Sequence, residues 1–141
     1  MFKLSSGKYV APQAVENKFK ESIFIEQIMV VGENEKFASA LISPNFNHLH
    51  FWASKHKIHY RDNIELVRKP EVIARYQKEV NMVNKTISLT ENVKRFRIVC
   101  EEWSPQTQEL SPTLKLKRKR IYKKYDHILK EIYMYSNGNG I

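Results

Sequence analysis

The chain has 141 residues, of which 42% are hydrophobic and 11% aromatic, enough to bury one core but hardly two. Its 24 Lys and Arg against 15 Asp and Glu give a formal net charge of +9, which favours phosphate-bearing partners. A single cysteine, Cys100, and no charged-then-apolar leader or long apolar run argue against disulfides, secretion and a transmembrane segment. We therefore expect one cytoplasmic domain at residues 1–135, followed by a flexible Asn/Gly-rich tail at 136–141.

The N-terminal part predicts a turn, an extended piece and a helix. Ser5-Ser6-Gly7 forms the turn, and Lys8 to Ala11 is extended. Pro12 suits a first helical position and begins a short helix through about Lys20.

Two runs rich in β-branched and apolar residues follow, Ile23–Val31 and Phe37–Ile42, separated by a break at Gly32-Glu33-Asn34. We interpret them as an antiparallel pair of strands. Pro44 ends the second strand, and Asn45 caps a helix that presents three residues at helical spacing, Leu49, Trp52 and Ala53.

The remaining pattern predicts two more helices and a third strand. A helix begins at Pro70 with four inward-facing residues, Ile73, Tyr76, Val80 and Val83. Residues 95–102 alternate as in a strand, with Phe96, Ile98 and Cys100 on one face and Arg95, Arg97 and Val99 on the other. The last helix buries Ile121, Tyr125, Ile128 and Ile132. The fold class is therefore α+β, a small three-stranded sheet packed with helices and preceded by a short β-turn segment.

The strongest charge feature lies near the C-terminal end. After the turn at Ser111-Pro112, the stretch from Lys115 to Lys124 contains seven Lys or Arg and no acidic residue. By itself, such a run is more often a solvated helix face than a phosphate site. It predicts an extended approach that leads into a basic helix.

Two motifs at opposite ends of the chain resemble one family. Gly7-Lys8-Tyr9-Val10-Ala11-Pro12-Gln13-Ala14-Val15-Glu16 resembles the segment that opens the small C-terminal domain of adenylate-forming enzymes. Glu109-Leu110-Ser111-Pro112-Thr113-Leu114-Lys115-Leu116-Lys117-Arg118 resembles that domain's closing motif, in the form found in long-chain fatty acyl-CoA synthetases. With Phe24 to Gly32 at the expected place between them, the resemblance covers roughly residues 3–133.

This resemblance implies a domain of an ATP-dependent long-chain fatty acid–CoA ligase, with ATP, CoA and Mg²⁺ as cofactors of the full-length enzyme. In that family a carboxylate and ATP form an acyl-adenylate, and CoA then displaces AMP. The small domain rotates against a large N-terminal adenylation domain between these two steps. Carried over, Lys115 is the adenylation lysine, and Gly7 and Lys8 belong to the thioester-forming face.

Physical chemistry supports these roles. Attack of a carboxylate on a triphosphate brings two anions together, so a cation must offset the repulsion. Lysine suits this task because its compact ammonium sits on a flexible stem. Glycine suits the other turn because it leaves space for a thiol-bearing arm and tolerates a positive φ.

The chain departs from the broader family at one position, because Leu114 stands where many relatives have glycine. Lys117, two residues beyond Lys115, remains an alternative adenylation lysine and a candidate cofactor-binding residue. The large domain is not recognisable in these 141 residues. We therefore expect the chain to begin just after the family's hinge and to be inactive alone.

Two other functions stay open. The charge and the interleaved tyrosines fit a small nucleic-acid-binding module, although no recognised motif supports it, and our expectation is no nucleic-acid partner. The parent enzyme's acid is also open, because acyl specificity resides in the large domain. Peripheral membrane association of the full-length enzyme is left open too.

We expect no metal site at the histidines and no catalytic role for the cysteine. His48, His56 and His59 lack a completing cysteine or carboxylate, so no metal site is expected. Cys100 alternates with apolar residues and is expected to be an inert core thiol.

Overall fold

The computed structural model describes residues 1–134 as an α+β domain. In chain order the elements are β1 (Phe2–Lys3), β2 (Tyr9–Val10), α1 (Pro12–Phe19), β3 (Ile25–Val31), β4 (Ala38–Pro44), α2 (Phe46–Lys55), α3 (Asn63–Leu66), α4 (Pro70–Asn84), a 3₁₀ turn (Leu89–Glu91), β5 (Val93–Ile98), α5 (Arg118–Lys124) and α6 (Asp126–Tyr133). The predicted tail at 136–141 lies outside the described residues. The predicted fold class is confirmed.

A three-stranded sheet in the order β3-β4-β5 forms the centre of the domain. β3 and β4 are antiparallel, as predicted, with Ile28 opposite Ile42. β5 runs parallel to β4, with Ile98 opposite Ile42. A parallel neighbour requires a long crossover, and α2, α3 and α4 supply it.

Alternation along β3 and β4 buries both faces of the sheet. On one face, Ile28 and Ile42 belong to a core that includes Phe19 of α1, Leu49 of α2 and Tyr76 of α4. On the other face lies a second core, made of Met29, Val31, Leu41, Val99, Trp103, Leu110, Ile121, Tyr125, Leu129, Ile132 and Tyr133. The C-terminal helices therefore cover the face opposite α1, α2 and α4.

The predicted helix starts are confirmed. Pro12 and Pro70 open α1 and α4, where the missing proline N–H leaves no bond unmade. Asn45 caps α2, and its side-chain oxygen accepts a hydrogen bond from the His48 N–H at 3.1 Å.

The inward face of α4 differs from the prediction at Ile73, which is 44% exposed. The buried stripe instead runs through Val72, Tyr76 and Val80. The Tyr76 hydroxyl donates a 2.7 Å hydrogen bond to the Phe24 carbonyl, which orients the helix about this stripe. Ile73 lies one residue, or about 100°, away from Val72 around the helix.

The predicted C-terminal helix is two helices in the structure, because Tyr125 has φ −109° and ψ 19°, outside the helical range. The break turns α6, so Leu129 and Tyr133 are buried while Ile128 is only partly buried. The third strand also begins earlier than predicted, at Val93, and ends at Ile98. Its predicted faces are confirmed, since Phe96, Ile98 and Cys100 pack on the first core and Val99 on the second.

No helix within residues 1–134 combines the length and the hydropathy needed to cross a bilayer.

Candidate functional site

Residues 109–117 form a tight hairpin that carries Lys115 near its tip. At the base, Leu110 and Leu116 form an antiparallel bridge, and the Lys117 N–H donates to the Glu109 carbonyl at 2.8 Å. Nearer the tip, the Ser111 N–H donates to the Lys115 carbonyl, also at 2.8 Å. The Lys115 side chain is exposed. Its backbone is therefore fixed while its ammonium stays free to move.

Leu114, where the chain departs from the broader family, lies at the tip of this hairpin in a backbone conformation that favours glycine. The Leu114 N–H donates to the Ser111 carbonyl at 2.8 Å, which closes a β-turn with Pro112 and Thr113 at its centre. Leu114 itself has φ +66°, in the left-handed region that favours glycine. A turn followed by one left-handed residue is a common hairpin geometry, so the position suits the glycine that many relatives carry.

Replacing Leu114 with glycine is expected to raise the free energy of unfolding by about 1 kcal/mol, because the left-handed conformation costs any residue with a Cβ roughly 1–2 kcal/mol. Urea unfolding of the 141-residue chain measures the change. Leu114→Ala is the matched control, since it removes the exposed side chain but keeps the strained φ. Equal stability of the glycine and alanine variants would contradict the strain argument.

Lys115 faces α1 across a cleft. Gln13, Asn17 and Lys20 line one wall, and Leu114 to Leu116 line the other, with Gln27 and Ile28 of β3 also contributing. Lys117, the alternative adenylation lysine, is an exposed residue at the start of α5 and does not line this cleft.

The second predicted site, Gly7 with Lys8, lies in a different turn. The Gly7 N–H donates to the Leu4 carbonyl at 2.9 Å, and the turn joins β1 to β2, where Lys3 pairs with Tyr9. Gly7 has φ +91°, and a Cβ added there would meet nothing within 4 Å. Within this chain, glycine is therefore required by the backbone conformation and not by crowding. Lys8 is exposed.

The structure does not bring these two predicted sites together. Among residues 1–134, neither Gly7 nor Lys8 lines the cleft beside Lys115. Gln13 and Glu16 of the first motif do line it, so the turn at Gly7 and Lys8, and not the whole first motif, lies outside this cleft.

An ion pair that the sequence interpretation missed, between a buried carboxylate and a partly exposed guanidinium, joins the last residues of the two motifs. Arg118 donates to both carboxylate oxygens of Glu16, at 2.8 and 2.6 Å, and Glu16 is only 4% exposed. Hydrogen bonds to Glu16 raise the pKa of Arg118 above its ordinary value. The Val30 N–H also donates to Glu16, at 2.8 Å. Opposite charges at the ends of the two motifs were the available signal.

A second buried carboxylate stabilises the base of the hairpin. Glu109 is 1% exposed and accepts hydrogen bonds from Lys124 at 2.7 Å and from the Thr107 hydroxyl. Burial raises the pKa of Glu109, but its bonds to Lys124 and Thr107 outweigh that effect and hold the pKa below its ordinary value. Lys124 also pairs with Glu101 at 3.1 Å. Burial lowers the pKa of Lys124, and its bonds to Glu109 and Glu101 raise it overall.

These opposite shifts predict how stability depends on pH. The Glu109 contribution is fully present above the ordinary glutamate pKa, about 4.3, and is lost as the pH falls through the lowered value. The Lys124 contribution is present below about pH 10.4 and is lost as the pH rises through the raised value. Urea unfolding from pH 3 to 11 should show the beginning of the Glu109 loss at the acid end and of the Lys124 loss at the alkaline end, and both should shrink in Glu109→Gln. An unchanged pH profile in this variant would contradict the assignment.

The cations of the basic run from Lys115 to Lys124 therefore fall into two groups. Arg118 and Lys124 are paired with buried carboxylates, so they belong to the fold. Within the described part of the chain, the other five cations of the run make no salt bridge, and all are exposed: Lys115, Lys117, Lys119, Arg120 and Lys123.

Other candidate side chains are accounted for by packing. Trp103 is 3% exposed, and its indole N–H donates to the Tyr125 hydroxyl at 3.0 Å. Trp52 stacks on His56 with ring centroids 4.6 Å apart. Cys100 is partly buried against the first core. No group of three or more His, Cys, Asp or Glu that could hold a metal occurs among residues 1–134.

Comparison with protein families identifies the domain. The family described as AMP-binding enzyme C-terminal domain matches residues 1–137, so the chain belongs to this family. The resemblance seen in the two motifs is thereby confirmed.

Curated relatives include long-chain-fatty-acid–CoA ligase FadD15 of Mycobacterium tuberculosis. It is 30% identical over 130 residues, which are 92% of this chain and 22% of the ligase. Long-chain-fatty-acid–CoA ligase 6 of Mus musculus is 33% identical over 139 residues, which are 96% of this chain and 20% of that protein. The chain thus spans about a fifth of the length of these relatives.

Solved structures agree on the fold. The adenylation domain of the carboxylate reductase from Mycobacterium chelonae has a TM-score of 0.75 at 21% identity, covering 94% of this chain and 19% of that one. The A-PCP didomain of the carboxylic acid reductase from Segniliparus rugosus, in complex with AMP, has a TM-score of 0.73 at 19% identity, covering 94% and 17%.

Proposed function

We propose that this chain is the mobile small domain of an ATP-dependent long-chain fatty acid–CoA ligase. The observation that carries the proposal is the family match across residues 1–137, together with relatives named as long-chain-fatty-acid–CoA ligases. The partners in this proposal are a large adenylation domain, a fatty acid, ATP and CoA. Mg²⁺ would accompany ATP as the counterion of its phosphates.

In the first half-reaction, Lys115 stabilises the charge that develops when the fatty carboxylate attacks the α-phosphate. Its place on an exposed hairpin tip supports this role, because a rigid backbone with a free ammonium suits delivery into another domain's pocket. We favour Lys115 over Lys117 because Lys115 lines a polar cleft, whereas Lys117, the residue that precedes α5, does not.

In the second half-reaction, the turn at Gly7 and Lys8 faces the large domain and borders the path of the CoA thiol. Neither residue of this turn lines the cleft beside Lys115, which supports a mechanism in which the two motifs act in different orientations of the domain. A domain rotation between the half-reactions would exchange them.

The test uses the complete ligase with a panel of acids, measuring acid-dependent exchange of pyrophosphate into ATP and formation of the CoA thioester. Exchange and thioester formation with long-chain fatty acids support the proposal. Activity confined to aryl or medium-chain acids would make the protein an adenylate-forming ligase for another carboxylic acid. Transfer to a carrier protein in place of CoA would overturn the ligase assignment.

A further inference from the structure

We propose that Glu16 and Arg118 are positioning residues for Lys115, so that their ion pair sets where the adenylation lysine points. This inference rests on the proposed function, because it concerns how the lysine of that reaction is held. It assigns a role to two residues that do not themselves meet the substrate.

The geometry of the ion pair restrains Arg118. A bidentate guanidinium–carboxylate contact fixes both distance and orientation, which a single contact does not. The Val30 N–H occupies the same oxygen, Oε2, that the Nη1 of Arg118 contacts. Glu16 therefore joins α1, the backbone of β3 and the first residue of α5 in one buried arrangement.

Only a short stretch of chain separates Arg118 from Lys115. Three residues span at most about 10 Å, and the hairpin bonds of Lys115 and Lys117 remove most of the remaining freedom. A displacement of Arg118 is thus passed on to Lys115. The other end of the hairpin is held separately, by Glu109.

The ion pair also lies beside Lys115, the candidate cation. Glu16 and Arg118 line the same cleft as Lys115. Glu16 neutralises Arg118 there, which leaves Lys115 as the cation of the hairpin wall that is free to move toward an anion.

The test is a double-mutant cycle in the complete ligase with Arg118→Lys and Lys115→Ala. Arg118→Lys keeps the charge but loses the bidentate contact, and it is expected to slow adenylation about 10- to 100-fold through misplacement of Lys115. Thioester formation from prepared acyl-adenylate should be unchanged. In the Lys115→Ala background, Arg118→Lys should cause no further loss, because its effect passes through the missing ammonium.

Two further variants distinguish a folding defect from a defect in the position of Lys115. Glu16→Gln keeps the shape but removes the charge, and it should reproduce the selective adenylation defect. Tyr76→Phe removes a buried hydrogen bond in the core on the sheet face opposite Leu110 and Leu116, and it should leave both half-reactions intact despite lower stability. Thermal unfolding of each variant shows that it is folded at the assay temperature.

If Lys115→Ala slows adenylation while Arg118→Lys does not, or if the two effects multiply, the positioning role is overturned and the proposed function stands. The positioning role is also overturned if Arg118→Lys slows both half-reactions equally, which is the pattern of a purely structural defect. Unchanged adenylation in Lys115→Ala would overturn both this inference and the assignment of the lysine in the proposed function.

Discussion

Replacing Lys115 with alanine in the complete ligase is expected to slow acyl-adenylate formation about 10²–10³-fold, the usual effect of removing one preorganised charge-stabilising donor. The physical reason is repulsion between the incoming carboxylate and the triphosphate, which the ammonium offsets. The exposed side chain makes no salt bridge in the described part of the chain, so its loss should not destabilise the domain. Fatty-acid-dependent ATP–pyrophosphate exchange measures the effect.

The same variant should form the CoA thioester from chemically prepared acyl-adenylate at the normal rate, because in the proposed mechanism that step uses the face at Gly7 and Lys8. Lys119→Ala is the matched control, since Lys119 is another exposed lysine of the basic run. Lys117→Ala separates the two candidate lysines. A large exchange defect in Lys117→Ala with normal exchange in Lys115→Ala would transfer the role to Lys117.

Replacing Glu109 with alanine is expected to lower the free energy of unfolding by about 1.5 kcal/mol, at the lower end of the range for a hydrogen bond to a charged group. Stability is lost because Glu109 is 1% exposed and the change leaves Lys124 and Thr107 without this acceptor. The lower end applies because Lys124 keeps Glu101 as a partner. Urea unfolding of the chain measures the change.

Glu102→Ala is the control for this prediction, because Glu102 is an exposed glutamate of the same loop with no salt bridge in the described residues. Its effect should stay within about 0.5 kcal/mol. Similar losses in the two variants would show that net charge, and not the buried pair, sets the stability.

Much of the fold was predictable because its signals are local. Pro12, Asn45 and Pro70 begin helices through their own backbone or side-chain chemistry. The β-branched run that becomes β3 pairs with β4, the next strand in the sequence. The break between the two runs was therefore enough to predict their antiparallel pairing. The inward face of α4 was harder to predict, because Val72 and Ile73 are equally apolar. The tertiary contact of Tyr76 with Phe24 decides which of the two is buried.

By itself, the sequence determined the family, the α+β class and the three candidate lysines, Lys8, Lys115 and Lys117, because motifs and periodicity are properties of neighbouring residues. Only the tertiary structure decided that β5 is parallel to β4, that Arg118 and Lys124 are paired with buried carboxylates, and that Lys115 shares a cleft with α1. Glu16 and Arg118 are separated by 102 positions, and no local pattern encodes their distance. A contact between residues so far apart in the sequence forms only when the tertiary structure brings α1 and α5 together.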